Sequence, residues 1–269
     1  MYDKYVENKI KEVNQMLRGL YTAYTGMLAQ QQKMDTISNN LANANTTGYK
    51  KEAVMFESFQ EVYMIKINDP EQAGNNRIGK GALGVRVGEV FTNYEQGSLQ
   101  QTDNPLNMAL DTTGMFVVGT QDAQGNTVQK YTRDGSFGLN ANGQIISKDG
   151  YYLLGENGPI TVGSANIRVT EDGNIFEGEN FIDTIRTIDF ENLQSLRKIG
   201  ANLYETTDET TEKEYEGKTI QGFIEGSNVS SIEEMIHMIS SMRTYETNQK
   251  IITTYDTTMD KAVNEIGRL

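Results

Sequence analysis

At 269 residues the chain is long enough to bury a real core, as one large domain or two smaller ones. A formal net charge of -13 argues against nucleic acid or an anionic membrane as the main partner. The absence of cysteine removes disulfides, thiol nucleophiles and thiolate metal sites together.

The N-terminal stretch MYDKYVENKIKEVNQ has neither an apolar central region nor a small-residue cleavage site, so no ordinary cleaved secretory signal is expected. No apolar run approaches the roughly 18 residues of a membrane span, so no membrane insertion is expected either. From Val6 the apolar period is helical. Val6, Ile10, Val13, Leu17, Leu20, Tyr24, Met27, Gln31, Met34, Ser38 and Leu41 alternate in steps of four and three, which is a coiled-coil heptad seam. About 40 residues at a rise of ~1.5 Å predict a rod of roughly 60 Å. Tyr21, Leu28 and Ile37 widen the stripe, which predicts more than one neighbour.

The seam runs into TISNNLANANTTGYKKE, residues 36–52. Gly48 suits a left-handed helix terminus, and Lys50 and Lys51 lie where cations favour the negative end of a helix. Capping accounts for the glycine but not for Asn40, Asn43 and Asn45, spaced along one side of the last turns. The N-terminal helix is expected over residues 1–47, with 48–79 as a spacer.

In the middle the pattern turns to β, and residues 80–226 read as a mainly antiparallel β domain. VRVGEVFTNY (85–94), GMFVVGT (114–120), QIISKDGYYLLG (144–155) and NIRVTEDGNIF (166–176) are short apolar runs divided by turn dipeptides. Asp134-Gly135, Asn142-Gly143, Asp149-Gly150 and Asp172-Gly173 are read as tight hairpin turns needing positive φ. The Thr-rich, charged stretch 205–218 reads as a surface hairpin or linker.

A second long helix is expected over 227–269. EGSNVSSIEEM offers two overlapping capping boxes, Ser230 with Glu233 and Ser231 with Glu234. Met235, Met238, Met242, Tyr245, Gln249, Ile252, Asp256, Met259, Val263 and Ile266 then keep the three-four alternation, with Ile232, Ile236 and Ile239 as a second apolar edge. About eight apolar seam residues, half-buried at ~1 kcal/mol each, supply roughly 8 kcal/mol. Docking costs ~4–15 kcal/mol, so a single seam is marginal. Terminal helices that order fully in an assembly are the expectation, and the fold class is α+β.

Catalytic chemistry finds little support. His237 is the only histidine, and it falls between Ile236 and Met238 in the C-terminal helix, so a helix-surface role outweighs a triad or acid–base pair. One His without Cys makes a zinc site poor. DGSFGLNANGQI lacks the alternating oxygens and closing Glu of a calcium loop, and GKGALGVRVG lacks the spacing and following helix of a phosphate loop. No catalytic residue, metal or cofactor is expected. The Asn45 and Asn228 glycosylation-type triplets are explained as well by chance and helix capping. A secreted glycan-cleaving enzyme would need a facing carboxylate pair such as Asp111 and Asp134, and nothing in the sequence places them together. A third reading is a coiled-coil adhesin.

MLRGLYTAYTGMLAQQQKMDTISNNLANANTTGYKK, from Met16, resembles the N-terminal signature of bacterial flagellar rod and hook proteins. The positions that carry it are Ser38, Asn40, Asn43, Thr46, Gly48 and Lys50. QGSLQQTDNPLNMALDTTGMFVV and YTRDGSFGLNANGQIISKDGYYLLG are similar to the family's central region, and GFIEGSNVSSIEEMIHMISSMRTYETNQKIITTYDTTMDKAVNEI to its C-terminal helix. Length favours a rod member over the longer hook protein. The spacer over 60–88 resembles that of the distal rod branch, with the proximal branch the nearest alternative. Residues 1–15 precede the usual family start, yet continue the heptad in phase.

The resemblance implies a non-enzymatic axial subunit, exported by the flagellar type III apparatus and polymerised with other rod and hook proteins around a channel. Its terminal helices would form the inner layer through Leu17, Leu20, Tyr24, Met27, Met34 and Leu41 with Met235, Met238, Met242, Tyr245, Ile252 and Met259. Asn40, Asn43 and Asn45 would then bond to neighbouring subunits and fix their stagger, with simple capping of the helix end as the alternative.

Overall fold

Helix α1 spans Tyr2–Ala42 and α2 spans Ser231–Lys261 in the computed structural model of the protein. It describes residues 2–59, 61–65, 77–121, 127–200, 202–261 and 263–264, and the side chains of 18–59, 61, 79–120, 128–200, 202–261 and 263–264. Among the described residues no helix is long and apolar enough to cross a membrane.

The chain divides into two units that interleave along the sequence: residues 1–39, 53–91 and 232–269 form one, and 40–52 with 92–231 the other. The stretch expected as one β domain, 80–226, is thus shared between them. In the helical unit, the strands Val62–Ile65 and Arg77–Gly81 pair antiparallel, and Glu52–Ser58 pairs with Val85–Thr92. Along α1, the Tyr21 and Phe59 rings meet at 6.2 Å, Lys33 Nζ lies 5.8 Å above the Phe56 ring, and Val85 N donates to Thr25 Oγ1.

The two helices meet through small residues. A Cβ placed on Gly19 would fall 2.2 Å from Tyr255 Oη, and one on Gly26 3.0 Å from Asn248 Nδ2. Both pairs are seven residues apart and in opposite order, so the helices run antiparallel where they touch. That row (Gly19, the buried Ala23, Gly26) lies beside the predicted seam of Leu20, Tyr24 and Met27.

The β unit is built on an antiparallel sheet ordered Arg197–Ile199, Leu203–Glu205, Thr127–Thr132, Met115–Gln121, Tyr152–Gly155, Ile145–Ser147, Phe137–Leu139. Its central strand is buried on both faces. Phe116 and Val118 enter one core with Met108, Ile145, Leu153 and Ile175, while Met115 and Val117 enter a second with Tyr131, Leu154 and Tyr204. A period of two explains this split, because successive side chains of a strand leave on opposite faces. Part of the charged stretch 205–218 becomes the exposed strand Glu212–Glu214, paired to Thr187–Phe190.

Gly143, Gly150 and Gly173 have φ of +75°, +82° and +79° and close three of the four expected hairpins. The fourth expectation is corrected. Asp134-Gly135 is a buried crossing where a Cβ on Gly135 would sit 1.5 Å from the Met108 carbonyl oxygen, so that glycine is required by close approach.

Candidate functional site

Helix α1 stops at Ala42, earlier than the expected 47. Turns replace its last expected residues: Asn43 N donates to Asn40 O, Ala44 N to Leu41 O, and Thr46 N to Asn43 O. The Thr46 hydroxyl also donates to Asn43 Oδ1 at 3.2 Å. Short amide and hydroxyl side chains compete in this way with the helical ladder. Past the turns the chain becomes a strap, residues 46–52, seated in the β unit.

The strap is tied at nearly every residue. Thr47 Oγ1 donates to Asp134 Oδ1 at 2.6 Å, and Asn202 Nδ2 donates to the Thr47 carbonyl at 2.9 Å. Gly48, at φ +68°, donates its N–H to Glu225 O, and a Cβ there would lie 2.5 Å from backbone atoms of Arg133 and Asp134. The Tyr49 hydroxyl donates to Asn40 Oδ1, and Lys198 Nζ sits 4.1 Å above the Tyr49 ring while pairing with Glu52 at 2.8 Å. Gly48 therefore serves the crossing of two backbones and not the end of the helix.

Beneath the strap lies an ion network. Glu225 Oε1 accepts from Lys50 Nζ at 2.7 Å and from Gly97 N at 2.8 Å, and Oε2 accepts from Arg133 Nε at 2.7 Å. All three charged side chains are at most 3 % exposed. Further donors go to carbonyls: Lys50 Nζ to Glu95, and the Arg133 guanidinium to Gly114 and Leu110. Burial lowers the Lys50 pKa below its usual 10.5, Glu225 pulls it back up, and Arg133 adds to the lowering. Lys50 was expected to face the helix end. It is buried against a carboxylate 175 residues away instead.

Asn40 requires a further correction. Its Nδ2 donates to Glu52 O at 2.8 Å, its Oδ1 accepts from Glu52 N at 3.0 Å and from Tyr49, and the residue is buried. The amide joins the helix end to the strap of its own chain, so it is not presented to a neighbouring subunit. Asn43 is half-buried, while Asn45 and Ser38 are exposed. Asn228 is not a helix cap, since α2 begins at Ser231. It accepts from Lys51 N at 2.7 Å and donates to the carbonyls of Asn93 and Glu95. The helix start places Ser230 at the N-cap, with Glu233 and Glu234 in the first turn.

The seam residues divide by exposure. Leu20, Met27, Met34, Leu41, Met238, Tyr245, Ile252 and Met259 are half-buried, while Tyr24, Met235 and Met242 are exposed. The side chain of Leu17 lies outside the described residues. His237 is exposed on α2, Asp111 accepts from Lys218 N and the Tyr215 hydroxyl, and Asp134 holds Thr47. Among the described residues no cluster of acidic and histidine side chains could hold a metal.

Three family models match the chain: flagella basal body rod protein over residues 20–50, flagellar hook protein FlgE/F/G D1 domain over 109–177, and flagellar basal body rod FlgEFG protein C-terminal over 220–265. The flagellar hook-basal body complex protein FlhO of Bacillus subtilis is 34% identical, across 94% of this chain and 100% of the relative. The flagellar basal-body rod protein FlgG of Buchnera aphidicola subsp. Schizaphis graminum is 34% identical across 91% and 98%, and that of Agrobacterium fabrum 33% across 89% and 96%. The chain belongs to the flagellar basal-body rod and hook protein family. Two of the family's matched regions meet at the ion network, because Lys50 ends the first and Glu225 and Asn228 lie in the last. Sequence reasoning singled out Lys50 and missed its partner Glu225, the Arg133 that shares that carboxylate, and the Asn228 that holds Lys51 N. No local pattern announces a carboxylate that pairs across 175 residues.

Proposed function

We propose that this member of the family is a structural axial subunit of the flagellar basal-body rod, in its distal branch and without enzymatic activity. It assembles through α1 and α2, with other copies and with other rod and hook proteins, into a tube that transmits torque and encloses the export channel. Helices α1 and α2 serve assembly, and the β unit faces outward from the tube, as the resemblance implies. The type III export apparatus delivers it without a cleaved signal peptide, as the resemblance implies.

One observation carries the reading. Ile232, Met235, Ile236, Ile239 and Met242 form a stripe on α2 and are 45–71 % exposed in the single chain. On α1, Tyr21, Tyr24 and Leu28 are likewise exposed. Apolar side chains in rows on a strongly acidic chain favour burial against another surface. Two different apolar faces on one subunit suit head-to-tail contacts, which propagate as a helical polymer when they do not close. Coiled-coil packing of the half-buried seam belongs to this assembled state, with Gln31, Ser38, Gln249 and Asp256 as register-setting polar positions.

The test is to purify basal bodies from cells producing a tagged chain and to score motility after deletion. The expected result is the tag in the rod and loss of swimming on deletion. Motile deletion cells, or basal bodies free of the tag, would remove this reading.

A further inference from the structure

We infer that Glu225 is the centre of a latch between the two chain segments through which α1 and α2 join the β unit, so that neither segment seats without the other. Three stretches meet there: residues 48–52 of the strap, the segment 93–97, and the return 225–228. They are crossed by backbone bonds, from Gly48 N to Glu225 O at 2.8 Å, Asn93 N to Lys51 O at 2.8 Å, and Asn228 N to Tyr49 O at 3.4 Å. Side chains repeat each connection. Lys50 Nζ spans Glu225 and Glu95 O, Glu225 also takes Gly97 N, and Asn228 joins Lys51 N to the carbonyls of Asn93 and Glu95.

The chemistry makes the seating mutual. Two cations share one carboxylate away from water, and removing one member of such a group leaves a buried charge without its counter-charge. If the return 225–228 is unseated, Lys50 and Arg133 lose the carboxylate they share, and the strap loses the Gly48 acceptor as well. If the strap is unseated, Glu225 loses Lys50, and Asn228 loses both Lys51 N and the Tyr49 carbonyl. Arg133 is a positioning residue, since it holds Glu225 from the central sheet and is itself held by Gly114 and Leu110. The N-terminal signature is therefore set only once the chain has been completed to Asn228. This adds a condition on folding to the proposed assembly and does not depend on polymerisation.

Residue-resolved amide hydrogen exchange on the full-length monomer tests it. Lys50→Met keeps the Glu225–Arg133 pair and so should fold. It is expected to speed exchange at Gly97 and Asn228, across the latch, by roughly 10- to 100-fold. Glu225→Gln should do the same at Gly48 and Lys51. In both variants the amides of Val117 and Ile145, bonded to Arg186 O and Ile160 O in the sheet, should keep their wild-type rates. Wild-type exchange at Gly97 and Asn228 in Lys50→Met would overturn the latch. An equal acceleration at Val117 and Ile145 would also overturn it, by showing general destabilisation. Because the monomer is measured, a failure here leaves the rod reading standing, and a failure of the rod reading leaves the latch standing.

Discussion

Gly48 shows how a single residue type is enforced by two independent constraints. Its φ of +68° is the left-handed region, and the space where a Cβ would go is filled by the backbone of Arg133 and Asp134. Left-handed geometry alone costs an L-residue ~1–2 kcal/mol, and backbone atoms cannot move aside as a side chain can. Gly48→Ala should therefore destabilise the β unit by more than that amount, seen as a lower midpoint in urea unfolding. A midpoint equal to wild type would contradict the close crossing. Tyr204 presents the opposite case, a buried hydroxyl without a hydrogen-bond partner among the described residues. Removing an unsatisfied buried polar group recovers ~1–3 kcal/mol, so Tyr204→Phe should raise stability. Burial raises the pKa of Tyr204 well above 10 and that of Tyr94 to about 12. Because the folded values lie above the unfolded one, the stability this confers is complete below pH 10. It is lost as pH rises through about 12 for Tyr94. Lys50 acts with the opposite sign, since a lowered pKa favours the fold increasingly as pH approaches 10.5. Alkaline unfolding followed by phenolate absorbance should thus begin above pH 10, later than the titration of exposed tyrosines. Phenolate absorbance saturating at the exposed-tyrosine range with the fold intact would contradict the burial.

At the scale of elements, α2 separates folding from assembly. Met242 is 51 % exposed in the single chain, so Met242→Asp should change monomer stability by no more than ~0.5 kcal/mol. In an assembly that buries the stripe, the same carboxylate would lose its water at a cost of several kcal/mol, taken as roughly 2–7 for a polar group without a partner. The expected outcome is a normally folded monomer by circular dichroism that is absent from purified basal bodies. Exposed Lys250, changed to Asp, serves as the control and should be incorporated. His237→Gln, on the same helix and exposed, should leave both folding and motility unchanged, and loss of motility with normal incorporation would revive an enzymatic role. The contact between the helices makes a different demand. Gly19 and Gly26 admit Tyr255 and Asn248 close to the α1 backbone, so a bulky side chain at either glycine would force the helices apart.

For the molecule as a whole, the distribution of buried apolar contacts predicts a gradient of stability. Phe116, Val117, Val118, Ile145 and Leu153 are fully buried in the cores of the β unit, whereas α2 buries only Glu234 and Ser241. Hydrogen exchange on the monomer should be slowest at the former and faster by several orders of magnitude over residues 244–258, where few packed contacts oppose local opening. Uniform protection along α2 in a dilute monomer would mean that it needs no partner.

Local periodicity was enough to determine the two long helices, the short strands and three of the hairpin turns, because each depends on side-chain alternation or on a glycine's own φ. The family followed from motifs at both ends and in the middle of the chain. What the tertiary structure decided is where distant segments meet. The helix end moved back to Ala42 because Asn40, Asn43 and Thr46 bond to turns and strap. Gly48 and Lys50 changed role because Arg133 and Glu225 lie over and beneath them, and Asp134-Gly135 became a crossing because Met108 occupies the space a hairpin would leave open. A turn preference is a property of a few neighbouring residues. A shared carboxylate, a crossing of backbones and an antiparallel contact between two helices exist only when segments far apart in the sequence occupy the same few ångströms.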